Sequence, residues 1–179
     1  MEHTKHFELI RSTANVYELD PLLLEAMVVK ESSGNQWAWN PEPHYRYLWD
    51  VKLRKPFRTL TPEEIKSEVP PKDFPCLAGD RDQEFWAQQA SWGLLQLMGA
   101  VARELGFKGG YLPEICDPLL NLRLGAQHLQ NRLRWANGNI PAALAAYNAG
   151  TAGGPTGALA RAGEYAAKVL NIKEQLPKP

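Results

Sequence analysis

The chain has 179 residues, 44% of them apolar and 22% charged, which fits one soluble domain with a real core and excludes a disordered chain. Twenty basic residues balance twenty acidic ones, so the basic excess of a nucleic-acid footprint is missing, and no apolar run approaches the ~20 residues of a membrane span. Two cysteines, Cys76 and Cys116, and four scattered histidines offer neither a disulfide framework nor zinc spacing, so no metal or organic cofactor is expected.

The polar opening segment, Met1 to Arg11, has no signal-peptide h-region, and the expectation is a chain made in the cytoplasm. A first helix is predicted over residues 5–17. Asp20-Pro21 then supplies an N-cap followed by proline at the first helical position, opening a second helix over 21–32. From 35 to 90 the chain changes character. It is rich in proline and aromatics, "NQWAWNPEPHYRYLWDVKLRKPFRTLTPEE", and reads as an insertion with local structure packed on a helical body. Tyr45, Tyr47, Trp49 and Val51 alternate at period two, which suggests a short strand or hairpin. Thr61-Pro62-Glu63-Glu64 is a further helix start. Helices are then predicted over 94–105, 118–136 (after the cap Asp117-Pro118), 141–149 and 158–172, with Gly34, Gly106, Gly138 and Gly150 as stops. In the 118–136 helix Leu122, Ala126, Leu129 and Leu133 form a core stripe. The class is mainly α, one domain over 1–179, with the irregular insertion at about 35–90.

Three features bear chemistry. On the second helix Leu24, Met27, Val28 and Glu31 share one face, so a carboxylate stands on an apolar stripe. Burial disfavours its charged form and raises its pKa, as a general acid requires near neutral pH. A frayed end that turns Glu31 to solvent is the competing reading. In "SWGLLQLM", Gly93 permits a close backbone approach, and Gln96 offers donor and acceptor to a sugar, or is satisfied by backbone instead. In "AAYNAG", Tyr147 and Asn148 end an alanine-rich helix, either presenting polar tips to a cleft or capping it.

Taken in order, "ES", "GLLQLM" and "AAYNAG" resemble the lytic transglycosylases whose signature is ES, GLMQ, AYN, the soluble lytic transglycosylase-like family. "CDPLLNLRLGAQHL" resembles the helix that precedes AYN there, and "RAGEYAAKVL" its closing helix. "WNPEPHYRYLWDV" is similar to a branch met among phage and prophage members. The resemblance spans about residues 20–170. It implies a lysozyme-like fold and cleavage of the β-1,4 bond from N-acetylmuramic acid to N-acetylglucosamine, forming a 1,6-anhydro sugar. Glu31 would be the single catalytic acid and base. Ser91, Gln96, Met98, Tyr147, Asn148 and Tyr165 would serve the substrate, with Ser91 standing in for a family serine replaced by Ala87. Arg161 stands where the closing motif has a glutamate. The implied partner is the peptidoglycan glycan strand, with no nucleic acid and no membrane span. The protein is expected to be a monomer delivered to the wall by a phage route, through a holin or on a virion. A muramidase using a second carboxylate (Glu42, Asp50, Asp73, Asp80 or Asp82) and a non-catalytic wall-binding or virion module are the alternatives.

Overall fold

The computed structural model describes residues 2–178. Helix α1 (Phe7–Val16) leads into α2 (Pro21–Ser32), whose N-cap Asp20 accepts a hydrogen bond from the Leu22 amide at 2.9 Å. Three strands follow: β1 (Trp39–Pro41), β2 (Trp49–Asp50) and β3 (Lys55–Pro56). Helix α3 (Pro62–Lys66) begins on a reciprocal capping box between Thr61 and Glu64. Helix α4 (Arg81–Gln88), strands β4 (Ala90–Trp92) and β5 (Leu97–Met98), and helix α5 (Gly99–Glu104) come next. A single 3-10 turn (Leu112–Cys116) precedes α6 (Pro118–Trp135), α7 (Ile140–Ala149) and α8 (Gly154–Gln175). The caps Asp117 and Asn139 hold the Leu120 and Ala142 amides at 2.9 and 3.0 Å. Each cap read from sequence is made, because capping is decided within three residues.

The main core lies among α1, α2, α6, α7 and α8, around Leu24, Met27, Leu94, Leu95, Leu122, Leu129 and Leu144, all fully buried. Four buried alanines of α7, Ala142, Ala143, Ala145 and Ala146, let the neighbouring helices approach closely. Burying each large aliphatic side chain contributes about 1.5–3 kcal/mol.

Three expectations need correction. The helix predicted over 94–105 starts only at Gly99. Gly93 and Gln96 both have positive φ, 73° and 44°, so the backbone turns there, and Leu97–Met98 pairs antiparallel with β4. The period-two run Tyr45–Val51 is a strand only at Trp49–Asp50, paired with Lys55–Pro56 in a two-stranded hairpin. The last helix begins at Gly154, with a kink at Ala162 (φ −138°), and runs to Gln175. Helix α4 was not anticipated, although Asp80 caps it through the Asp82 and Gln83 amides at 2.9 and 3.0 Å.

The insertion carries its own small core of Leu48, Leu60, Phe74 and Phe85 with Phe57 against it. Its phenylalanines meet edge to face, Phe57 to Phe74 at 5.0 Å and Phe74 to Phe85 at 5.1 Å. Trp37, Trp39, Tyr45, Tyr47 and Trp49, the residues that stand out in the sequence, are not part of that core. Trp37 and Trp39 are exposed, while Tyr45 and Tyr47 face the cleft described next. Cys116 is buried and Cys76 half-buried, both free thiols.

Candidate active site

A cleft of about 1080 Å³ opens between the helical body and the insertion. One wall is the three-stranded sheet in the order β1-β4-β5, whose register aligns Asn40, Ser91 and Met98 across the strands. All three side chains line the cleft. Lys30 and Glu31 at the end of α2, and Tyr147, Asn148 and Thr151 at the end of α7, form the facing wall.

Helix α2 does not fray before Glu31. It continues through Ser32 and stops because Ser33 turns left-handed (φ 53°), with its amide bonded to the Val29 carbonyl at 3.1 Å. Glu31 is therefore held half-buried on the stripe of Leu24, Met27 and Val28. Tyr165 of α8 donates its hydroxyl to Glu31 Oε1 at 2.5 Å. Burial raises the Glu31 pKa above the usual carboxylate range, opposed by the Tyr165 hydrogen bond and by the Lys30 ammonium. The Lys30 ammonium lies 5.6 Å from the centre of the Tyr165 ring. Tyr165 is itself buried and stands behind the carboxylate, not in the cleft lining, so it touches the acid and not the open space. Burial and the Glu31 charge push its phenol well up, which keeps it a donor.

The turn Leu94–Gln96 is tied from every side. Ser32 Oγ donates to the Leu94 carbonyl at 2.8 Å, and Tyr147 donates to the Leu95 carbonyl at 3.0 Å. The Leu95 amide donates to Asn121 Oδ1 at 2.8 Å, while Asn121 Nδ2 reaches the Trp92 and Ile115 carbonyls at 2.9 and 3.0 Å. Gln96 gives its amide to the Ala38 and Gly93 carbonyls at 3.1 and 3.0 Å, and its Oε1 accepts from Ser91 Oγ at 2.9 Å. Gln96 is thus satisfied internally while one side still faces the cleft. Asn148 differs: it is exposed and, among the described residues, makes no side-chain hydrogen bond, so its amide is free for a ligand.

The glycines of these stretches are set by contact. A Cβ on Gly93 would strike Asn121 Nδ2, and one on Gly125 would strike Leu95 Cδ1. The serine, glutamine, tyrosine and "N…G" positions thus all brace a single turn beside Glu31, and Ser91, Gln96 and Tyr147 line the cleft as well. Residues 8–169, most of the chain, match the family model of the transglycosylase SLT domain. The chain belongs to that family. It is a peptidoglycan lytic transglycosylase, and its helical body with small sheets is the lysozyme-like fold.

In this transglycosylase the match takes in the acid on α2 and Tyr165 on α8, and also the insertion that forms the second wall. Of the five insertion acids weighed as a second carboxylate, Glu42 alone lines the cleft, where it accepts from Asn40 Nδ2 at 2.5 Å. Asp50 caps the β2–β3 turn through the Lys52 and Leu53 amides, Asp73 pairs with Arg58, Asp80 caps α4, and Asp82 lies beside Arg81. Arg161, in place of the motif glutamate, donates to the Gly150 carbonyl at 3.1 Å and closes the α7–α8 connection.

Several cleft residues of the transglycosylase were not singled out from sequence: His44, Glu104, His128 and Arg132. His128 and Arg132 stand at i and i+4 on α6, on the same face as buried Leu124, a spacing that was legible. His128 is buried edge-on to the Tyr147 ring at 4.8 Å. Burial and the Arg132 charge push its pKa down to about 3, so it stays neutral. Among the described residues no helix is long and apolar enough to cross a membrane.

Proposed function

We propose that Glu31 is the single acid and base of the glycan cleavage. The observation that carries this is a half-buried carboxyl at the cleft wall, its proton retained by burial and its orientation fixed by Tyr165. The Glu31 proton passes to the glycosidic oxygen as the bond from muramoyl C1 breaks. The resulting carboxylate then takes the proton of the muramoyl C6 hydroxyl as that oxygen bonds to C1. The 1,6-anhydro ring closes, no water is consumed, and Glu31 is protonated again. An intramolecular nucleophile gains its advantage from proximity, so no second carboxylate is required.

Ser91, Gln96, Met98, Tyr147 and Asn148 hold the sugar against this acid, with Asn148 contributing the unengaged amide and the braced turn fixing the others. Tyr165 is a positioning residue. The cleft is completed within one chain, which supports action as a monomer in one lysozyme-like domain. The similarity of the insertion to phage and prophage members supports delivery by a holin or a virion, tested by whether lysis of expressing cells requires a co-expressed holin.

Glu31→Gln is expected to lower the release of anhydro-muropeptides by at least about 10²-fold while the protein stays folded. Mass spectrometry of digested sacculi checks it: products one water heavier than the anhydro form, or activity retained by the variant, would refute the assignment.

A further inference from the structure

Trp37 and Trp39 are 71% and 58% exposed, the most of any tryptophan among the described residues, and neither lines the catalytic cleft. Side chains alternate along β1: Asn40 faces the cleft, so Trp39 stands on the outer face of the sheet. There it lies in register with Trp92 of β4, the two rings 6.0 Å apart and inclined at 38°. Trp92 is half-buried, and its indole nitrogen donates to the Ala87 carbonyl at 3.0 Å, which gives that face a fixed base. The backbone of the exposed pair is equally fixed. The Trp37 amide donates to Asn35 Oδ1 at 3.0 Å, and the Ala38 carbonyl between the tryptophans accepts from the Gly93 amide at 2.8 Å and from Gln96 Nε2 at 3.1 Å. Among the described residues the indole N–H groups of Trp37 and Trp39 and the side chain of Gln36 make no hydrogen bond. From Ser32 to Pro41 the sequence has no charged residue, whereas a nucleic acid or an anionic membrane surface would call for cations.

We propose that Trp37 and Trp39 form a second, non-catalytic glycan-binding surface on the back of the sheet that walls the cleft, and that it holds the enzyme on the wall through a strand other than the one being cut. The inference rests on the transglycosylase reading above for the nature of the polymer. Exposed aromatic groups of this size mark a binding surface, and the chemistry of this one fits uncharged sugar rings. Indole faces pack against the C–H faces of a pyranose, while the indole N–H groups and the Gln36 amide are available to hydroxyl and acetamido oxygens. The surface is also continuous with the substrate wall, because the same strand presents Asn40 to the cleft and Trp39 to the outside. The substrate is a cross-linked network, so a neighbouring strand lies within reach whenever one strand occupies the cleft. Two contacts with one insoluble network then add as avidity without altering the catalytic step.

The test separates the insoluble network from a substrate too short to leave the cleft. Binding to purified sacculi is measured by co-sedimentation on the Glu31→Gln background, where the network is not consumed. Adding Trp37→Ala/Trp39→Ala is expected to weaken that binding by about tenfold, the equivalent of ~1.4 kcal/mol, whereas Trp37→Phe/Trp39→Phe, which keeps an aromatic face, should retain most of it. With Glu31 intact, Trp37→Ala/Trp39→Ala should leave kcat/KM on a soluble muramoyl tetrasaccharide unchanged and lower the release of anhydro ends from sacculi. Unchanged binding to sacculi overturns the proposal. So does an equal loss on the tetrasaccharide, which would place the indoles in the service of the cleft itself. Self-association in sedimentation, or binding to phospholipid vesicles, that the double alanine variant abolishes while sacculus binding persists would identify a different occupant and overturn it as well. Absence of anhydro ends from both substrates with wild-type enzyme would overturn the transglycosylase reading itself, and this inference with it.

Discussion

Glu31 sits between opposing influences. Burial favours its neutral form, whereas the Tyr165 hydroxyl and the Lys30 ammonium favour the ionised one. In the mechanism proposed above the protonated acid starts the reaction, so activity is expected to fall as pH rises through its raised pKa. Tyr165→Phe removes a hydrogen bond made best to the carboxylate, raising that pKa further. The alkaline limb of the kcat/KM profile should therefore move to higher pH, and a limb that moves down or stays put would contradict the arrangement. Stability follows the same sign. A carboxyl whose folded pKa is raised supports the fold below its unfolded pKa, and that support is lost as pH rises through the folded value. Glu31→Gln, which cannot ionise, is expected to be more stable than wild type to thermal unfolding at alkaline pH, and to show less loss of Tm as pH rises.

The stretch from Gly93 to Met98 looks helical because its leucines have an acceptable spacing, yet it is a turn and a short strand. Leu95 explains why. Its amide is held by Asn121 of α6 and its carbonyl by Tyr147 of α7, while its side chain fills the space left by Gly125. A helix there would break both bonds. Gly125→Ala pushes a methyl group into Leu95 and should cost about 1–3 kcal/mol in urea denaturation. Activity should fall as well, because the displaced turn carries Gln96. Unchanged stability would show that Leu95 has room to repack. The sequence shows that Gly93, Gln96, Asn121 and Gly125 belong to one motif set, but not that they meet, since nothing local joins positions so far apart.

At the scale of the molecule the insertion is bolted on, not draped. Arg103 of α5 meets Glu84 of α4 in a fully buried two-point ion pair (2.7 and 2.9 Å), and Arg103 also donates to the Phe107 and Gly109 carbonyls. Within the insertion, Gln88 of α4 grips the backbone of Trp49 in both directions, at 2.8 and 3.0 Å, so the hairpin is tied to the helix that carries Glu84. Glu84→Ala leaves the guanidinium buried and unpaired and should cost about 3–5 kcal/mol, read from the shift of the denaturation midpoint. Glu84→Leu/Arg103→Met should recover only part of that, since the two carbonyls then lose their donor. A midpoint unmoved by Glu84→Ala would mean the insertion is held by its sheet alone. This anchoring places Glu42, Tyr45 and Tyr47 opposite the helical body, giving the enzyme the second wall of its cleft.

The sequence by itself determined where most helices begin and end, and that Glu31 stands on an apolar stripe. Caps, prolines and helical periodicity act within a few residues, so they leave a direct trace. Only the tertiary structure decided that Glu31 meets Tyr165, a partner 134 residues away, and that Tyr45 and Tyr47 of the insertion face a cleft while its phenylalanines form a core. Such contacts depend on how helices pack, and packing selects among many chemically similar pairings that no spacing distinguishes.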